Sequence, residues 1–357
     1  MNQVSAYQQV LDKYLLATIK KEASDLHFCV GYPPIIRVND ALWAIPGEQK
    51  LSERDGEGLA FALMTQVQQE QFIKNKEIDF SYSYQNEHRF RVNVFYQKGF
   101  VSAALRLIPM RIRTLKELNL PSILSRFAES AQGFVLVAGP SSHGKSTTLA
   151  ALIDGINHQR CDHIITIEDP IEYIFKPDRS VIEQRELNSD TYAFASALKS
   201  VFRQDPDVIM VGEMRDLETM ATAITAAETG HLVFTTLHTN SASQSIHRIV
   251  DSFPAEQQSQ IRAQLSTCLL GIVSQRLLPR IDGGMVPACE VMFNNFAIGN
   301  LIRENKIHEI PLVIETSSKA GMVPLNKSLA ALVKAKEISL GTAFSYSLNP
   351  HELETLV

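Results

Sequence analysis

The spacing of apolar and polar positions changes several times along the first hundred residues. Val10, Leu11, Tyr14, Leu15 and Ile19 recur at helical spacing and predict a helix over residues 5–20. Asp25–Val30 and Ile35–Val38, on either side of Gly31-Tyr-Pro-Pro34, read as two short strands joined by a turn. Ser52 and Asp55 have the spacing of a capping box and open a helix that runs through Leu63. Apolar and polar positions then alternate over Ile78–Tyr84, Arg89–Tyr96 and Val101–Leu107, the signature of an antiparallel meander with one buried face. Residues 1–108 are therefore expected to form a small α+β domain.

A different pattern follows. Residues 109–121 begin and end with proline and carry Arg111, Arg113 and Lys116 between, so this stretch is the expected linker. Beyond it come unbroken apolar runs at 134–138, 163–167, 208–211 and 232–236, each too short for a helix. Helical segments at 145–157, 191–203 and 216–229 separate them, and strands alternating with helices imply a mostly parallel sheet in an α/β domain over residues 122–357. From about residue 255 the pattern is mainly helical, with helices expected at Ala255–Leu269, Phe296–Glu304 and Leu325–Lys334. No internal repeat or low-complexity tract interrupts it.

The bulk numbers narrow the class without naming it. At 357 residues the chain is long enough for two domains, and an apolar fraction of 45% is that of a globular protein. With 34 basic against 39 acidic residues and a net charge of −5, nothing global points to nucleic acid or an anionic membrane. Cys29, Cys161, Cys268 and Cys289 form no C-x-x-C pair, so neither a zinc site nor a disulfide framework is indicated. The N-terminus lacks the basic and apolar regions of a signal peptide, and no apolar run approaches the roughly 20 residues that span a bilayer. A cytoplasmic location is the expectation.

The first apolar run of the second domain leads into Gly139-Pro-Ser-Ser-His-Gly-Lys-Ser146, which fits G-x-x-x-x-G-K-[ST]. Between a strand and a helix this pattern is the phosphate cradle of a P-loop NTPase. Its backbone N–H groups meet phosphates at a helix N-terminus, where the macrodipole favours negative charge. The expected nucleotide-binding residues are Gly139, Ser141, Ser142, His143, Gly144, Lys145, Ser146 and Thr147. Lys145 would reach the β and γ phosphates and Ser146 would hold Mg²⁺.

Three further constellations end the other runs. Thr166-Ile-Glu-Asp-Pro-Ile-Glu172 puts Glu168, Asp169 and Glu172 at a strand's C-terminal end, where parallel sheets bind ligands; alone it also reads as a solvated acidic loop. Asp207–Val211 runs into Gly212 and Glu213. Gly212 occupies the position where an aspartate usually ends such a run, and Glu213 is placed to polarise water for in-line attack or to cap the next helix. His231 and His238 flank the fourth run, and His238, among threonines beside the cradle, is a candidate sensor of the γ phosphate. On the first domain's strands, Arg89, Arg91 and Arg106 are either ordinary exposed arginines or groups that reach a neighbouring subunit's nucleotide.

Taken together these segments resemble the secretion-type ATPases, in the branch that retracts type IV pili. The likeness spans nearly the whole chain. It takes in Ala23-Ser-Asp-Leu-His27, Arg89-Phe-Arg-Val-Asn93, the cradle, Ile167–Glu172, Val211-Gly-Glu-Met-Arg-Asp216, Ala227–His231, Thr236–Asn240 and Asn300–Glu304. The resemblance implies a PAS-like N-terminal domain followed by a RecA-like ATPase domain with a helical C-terminal region, assembled as a homo-hexamer that binds ATP and Mg²⁺. It implies that Glu213 is the catalytic glutamate, with Glu168 and His238 also catalytic. By the same likeness Glu168, Asp169 and Glu172 form the Asp box, His231 and His238 the His box, and Arg91 and Arg106 are trans arginines. The implied partners are an inner-membrane pilus platform protein and a paralogous retraction ATPase, at the cytoplasmic face of the inner membrane, with no nucleic acid. The implied work is pilus retraction in twitching motility. An accessory or weakened ATPase serving as a ring-forming subunit is one alternative. A pilus-extension or type II secretion ATPase is another, although those relatives usually carry a tetracysteine zinc insertion that this chain does not show. Three places depart from the family's usual pattern: Ser142 and His143 in the cradle, Thr235 where Gly or Ala is common, and Gly299 in place of an arginine.

Overall fold

The computed structural model describes residues 3–38, 41–85, 88–109 and 111–357, so Met1 and Asn2 of the N-terminal reading and Met110 of the expected linker lie outside the described residues. The chain divides into two compact units, Met1–Met110 with Pro170–Ile174, and Arg111–Asp169 with Phe175–Val357.

In the first unit the order is α1 (Gln3–Lys20), β1 (Asp25–Phe28), β2 (Ile35–Val38), β3 (Ala41–Ala44), α2 (Glu53–Leu63), α3 (Gln66–Asn75), β4 (Glu77–Tyr84), β5 (His88–Gln97) and β6 (Phe100–Leu107). The strands make one antiparallel sheet in the order β3-β2-β1-β6-β5-β4. The expected meander is β4 to β6, and its alternation marks the buried face: Ile78 and Phe80, then Phe90, Val92 and Val94, then Val101, Ala103 and Leu105. Each fully buried Leu or Phe here contributes about 1.5–3 kcal/mol. On α1 the buried stripe is Leu11, Tyr14, Leu15 and Thr18, while Val10 faces outward. The capping box forms reciprocally, with Asp55 N–H donating to Ser52 Oγ at 3.2 Å and Ser52 N–H donating to Asp55 Oδ2 at 2.9 Å. Strand β3 and helix α3 add to the expected elements.

The second unit runs α4 (Ser125–Glu129), β7 (Gly133–Ala138), α5 (Lys145–Gln159), β8 (His163–Glu168), β9 (Val181–Glu186), α6 (Phe194–Val201), β10 (Val208–Val211), α7 (Leu217–Glu228), β11 (Leu232–Leu237), α8 (Ala242–Asp251) and α9 (Ala255–Cys268). It continues through β12 (Leu269–Pro279), β13 (Met285–Phe293), α10 (Phe296–Arg303), α11 (Ile310–Thr316), α12 (Leu325–Lys334), α13 (Leu340–Tyr346) and α14 (Pro350–Leu356). The sheet order is β13-β12-β7-β11-β10-β8-β9, parallel throughout except for β13. Every residue of β7, β10 and β11 is buried, which explains their unbroken apolar runs: strands covered on both faces have no reason to alternate. Helix α6 is shorter than the expected 191–203.

The C-terminal region is helical as expected, but residues 269–293 form a hairpin that periodicity did not disclose. Helix α9 passes into β12 with no intervening turn, since it ends at Cys268 and the strand starts at Leu269. No Gly or Pro punctuates the change, and β12 lies between β7 and β13, buried along most of its length. Among the described residues no helix is long and apolar enough to cross a membrane.

Candidate functional site

The carboxyl ends of β7, β10 and β11 lie side by side, and the chain leaving each of them carries one of the candidate groups. From β7 the cradle turns sharply at Gly139, whose φ is +152°. A Cβ there would lie 2.5 Å from the Gln275 carbonyl oxygen, so only glycine permits this approach to β12. Gly144, left-handed at φ +79°, forms the N-cap of α5. Ser142 is left-handed as well, at φ +64°, a conformation costing an L-residue roughly 1–2 kcal/mol. Ser141 and Ser142 are exposed, whereas Ser146 and Thr147 are half-buried in the first turn of α5. His143 turns its ring to β12.

Lys145 is buried, and its ammonium donates to the Pro140 carbonyl at 2.9 Å and stands 3.5 Å from His238 Nδ1. Ser141 Oγ lies 3.4 Å from the same nitrogen. On the other side of the ring, His238 Nε2 is 3.6 Å from Glu213 Oε2, and Arg215 donates to Glu213 Oε1 at 2.6 Å. Ser141, Lys145, His238, Glu213 and Arg215 thus form one continuous polar line. Thr236 Oγ1 donates to the Gly212 carbonyl at 2.7 Å, tying β11 to the turn that carries Glu213. Gly212 N–H in turn donates to the Ile167 carbonyl at 2.8 Å, and a Cβ at 212 would approach that oxygen to 3.3 Å, a tight fit for the aspartate usual there.

Glu168 ends β8 and is buried, accepting from Thr166 Oγ1 at 2.6 Å and from Gln184 Nε2 of β9 at 3.1 Å. Asp169 is exposed just beyond it, and Glu172 falls in the segment that clusters with the first unit. The structure separates the two histidines. His231 precedes β11 at the sheet's amino end, where its Nδ1 lies 2.9 Å from the Ala226 carbonyl of α7 and its ring meets Phe202 edge-on at 5.6 Å.

In the first unit, pairing registers align Arg37, Asp25, Arg106, Arg91 and Ser81 across neighbouring strands. Asp25 accepts from Arg106 Nε at 2.9 Å and has Arg37 Nε at 3.7 Å. Burial pushes the Asp25 carboxyl up, but hydrogen bonds from Ser24 and Arg106 outweigh it and hold the group below its ordinary value. Arg106 is therefore an oriented arginine. Arg91, directly opposite, is exposed, and Arg89 lies two residues before it on β5.

Several groups escaped the sequence reading. Arg215 sits two residues past Glu213 in the same motif, and that spacing was its one available signal. Gln275 and Leu277 of β12 reach the cradle, and no local pattern could reveal them once β12 itself went unseen. A cavity of about 570 Å³ adjoins the cradle at Gly144 and Thr147, bounded by Gln275 and Leu277 and by Arg113 and Glu117. That volume is in the usual range for small-molecule sites. Thr235 is fully buried with its hydroxyl unpartnered among the described residues, and Gly299 is buried where a Cβ would come 3.0 Å from the Ser266 carbonyl of α9. A larger residue at 299 would require that carbonyl to give by a few tenths of an ångström.

Residues 2–310 match the family described as type II/IV secretion system protein. The chain is 44% identical over 329 residues to the type IV pilus retraction ATPase PilT of Pseudomonas aeruginosa, covering 92% of this chain and 95% of that one. It is 38% identical to the type IV pilus ATPase PilU of the same organism, covering 97% and 91%. Among solved structures, the pilus retraction motor PilT with bound ADP superposes with a TM-score of 0.89 at 46% identity, covering 96% of this chain and 98% of that one. The chain belongs to the type II/IV secretion system protein family, in the company of its pilus-motor ATPases.

Proposed function

We propose that this protein is an ATP-hydrolysing motor that powers retraction of type IV pili. The observation that carries the reading is the line Lys145–His238–Glu213–Arg215 across the carboxyl ends of adjacent parallel strands, in a chain so similar to PilT. The phosphates of ATP would lie in the cradle between Gly139 and Thr147, and the base and ribose in the adjoining cavity. Mg²⁺ fits the donor set only through Ser146 and the phosphate oxygens, since no group of three or more Asp, Glu, His or Cys is gathered to hold a metal among the described residues. When bound, the ion would neutralise charge on the β and γ phosphates.

Glu213 orients the attacking water and takes up its proton, with Arg215 holding one carboxylate oxygen so that the other faces His238. His238, between Lys145 and Glu213, reports whether the γ phosphate is present. Glu168, held by Thr166 and Gln184 at the carboxyl end of β8, would be a further catalytic carboxylate beside Glu213. Arg91 and Arg106 would complete a neighbouring subunit's site, which requires a ring, and we take that ring to be a homo-hexamer. Residues 1–108 and 122–357 are its two domains and 109–121 the linker. Its partners would be a pilus platform protein at the cytoplasmic face of the inner membrane and a paralogous retraction ATPase.

Purified protein should hydrolyse Mg-ATP, and Glu213→Gln should lower kcat by about 10²–10⁴-fold while ADP still binds. Normal turnover in that variant would remove Glu213 from its role. In cells, deletion should leave excess pili without twitching; loss of pili would mean extension instead. A second reading, an accessory ring subunit of low turnover, draws on the left-handed Ser142 and the similarity to PilU. Negligible ATPase activity in nucleotide-bound wild type would favour it.

A further inference from the structure

The cradle's least usual residue is held by a strand that contributes no phosphate ligand. Ser274 of β12 pairs with Ala138, the last residue of β7. Three residues further on, Leu277 N–H faces the side where β7 has ended and no strand remains to accept it. The His143 ring fills that place: Leu277 N–H donates to His143 Nδ1 at 3.0 Å. One residue type in the loop thus substitutes for the missing backbone carbonyl. The neighbouring Gln275 side chain, itself buried, grips the loop from both sides, donating from Nε2 to the His143 carbonyl at 2.8 Å and accepting from Thr148 Oγ1 at 2.7 Å. Tyr346 of α13 tilts against the outer side of the imidazole, with ring centroids 6.4 Å apart.

We infer that His143 is a positioning residue for nucleotide binding: its neutral imidazole clasps the cradle to β12 and fixes the phosphate-binding loop in its left-handed turn at Ser142. This inference rests on the ATPase reading above. The His143 ring is engaged with β12, and it acts by removing alternative loop conformations before the nucleotide arrives. The bond requires the tautomer with its proton on Nε2, because Nδ1 must accept. Protonation would set an Nδ1–H donor against the Leu277 donor and open the clasp. The surroundings oppose that change. Burial first, then Arg276 of β12 and Lys145 at the start of α5, hold the ring below the ordinary histidine range, and Tyr346 of α13 is the further titratable group against the ring. A depressed histidine pKa gives a definite sign: the clasp is whole at neutral pH, stays whole through the ordinary value of about 6.5, and opens only as pH falls through the lowered one.

The test compares wild type, His143→Ala and His143→Asn, with ADP and Mg²⁺ as the probe, from about pH 4.5 to 8. Asparagine places Oδ1 near the position of Nδ1, accepts from an N–H and cannot be protonated in this range. At pH 7.5 the alanine variant should bind ADP about tenfold more weakly, and asparagine should recover most of that loss. On acidification, wild-type affinity should fall several-fold relative to His143→Asn, which carries every other titrating group including those of ADP. Thermal melting of each variant checks that it is folded. An alanine variant binding like wild type, or parallel pH profiles for wild type and asparagine, would overturn the clasp while leaving the ATPase reading intact. Failure of folded wild type to bind ADP would overturn both.

Discussion

Strand β11 has a histidine just outside each end, and the two stand in different surroundings. His231 and His238 are seven residues apart, about 23 Å along an extended strand. At the carboxyl end, His238 stands between an ammonium and a carboxylate, with Lys145 Nζ 3.5 Å from one ring nitrogen and Glu213 Oε2 3.6 Å from the other. At the amino end, His231 Nδ1 meets a backbone carbonyl of α7, and the ring lies against Phe202. The residue type is the same and the strand is the same. What differs is the end of a parallel sheet, because the connections that leave the carboxyl ends converge on one crevice and those that enter the amino ends do not.

Alanine at each position should separate these roles. His238→Ala should lower kcat by about 10–100-fold and leave thermal stability within about 0.5 kcal/mol of wild type, since the ring is half-exposed and fills no core space. His231→Ala should do the reverse. It removes one hydrogen bond and one edge-on ring contact, so unfolding should become easier by about 1–2 kcal/mol while kcat changes little. Steady-state turnover with chemical denaturation of both variants reads the pair. Equal losses of kcat would mean that the amino end communicates with the crevice and would break the contrast.

The sequence disclosed this contrast only in part. Alternation made the first unit's meander legible because one face of its sheet is buried and the other is not, as Phe90, Val92 and Val94 show against Arg89 and Arg91. Unbroken apolar runs located β7, β8, β10 and β11 for the opposite reason, burial on both faces. Those two signals also placed Gly139–Ser146, Glu213 and His238 at strand ends, which is why the cradle and its neighbours could be named. Strand β9 escaped because Glu183, Gln184, Arg185 and Glu186 make this edge strand polar. Strand β12 escaped because it begins where α9 ends, with nothing in composition to mark the switch. With β12 hidden, the partners of His143 were hidden too. Glu172 stands apart in another way: adjacency in the motif groups it with Glu168, and four residues on the chain belongs to the first unit.

The smallest expected effect concerns Ser142, the other unusual residue of the cradle. Its φ of +64° costs roughly 1–2 kcal/mol for an L-residue, whereas glycine at the same place loses about 0.5–1 kcal/mol more backbone freedom on folding. The difference leaves Ser142→Gly stabilising by at most about 1.5 kcal/mol, a rise of at most about 3–6 °C in Tm for a unit of this size. Turnover should move less than about threefold, because the loop on either side is already held, by Gln275 at the His143 carbonyl and by the bend at Gly139. This sharpens the contrast between a crevice whose chemistry is sensitive to single groups and a loop whose shape is fixed by its supports. A kcat gain above about tenfold would show instead that the strained serine limits the motor, and that the loop's shape has not been settled by β12.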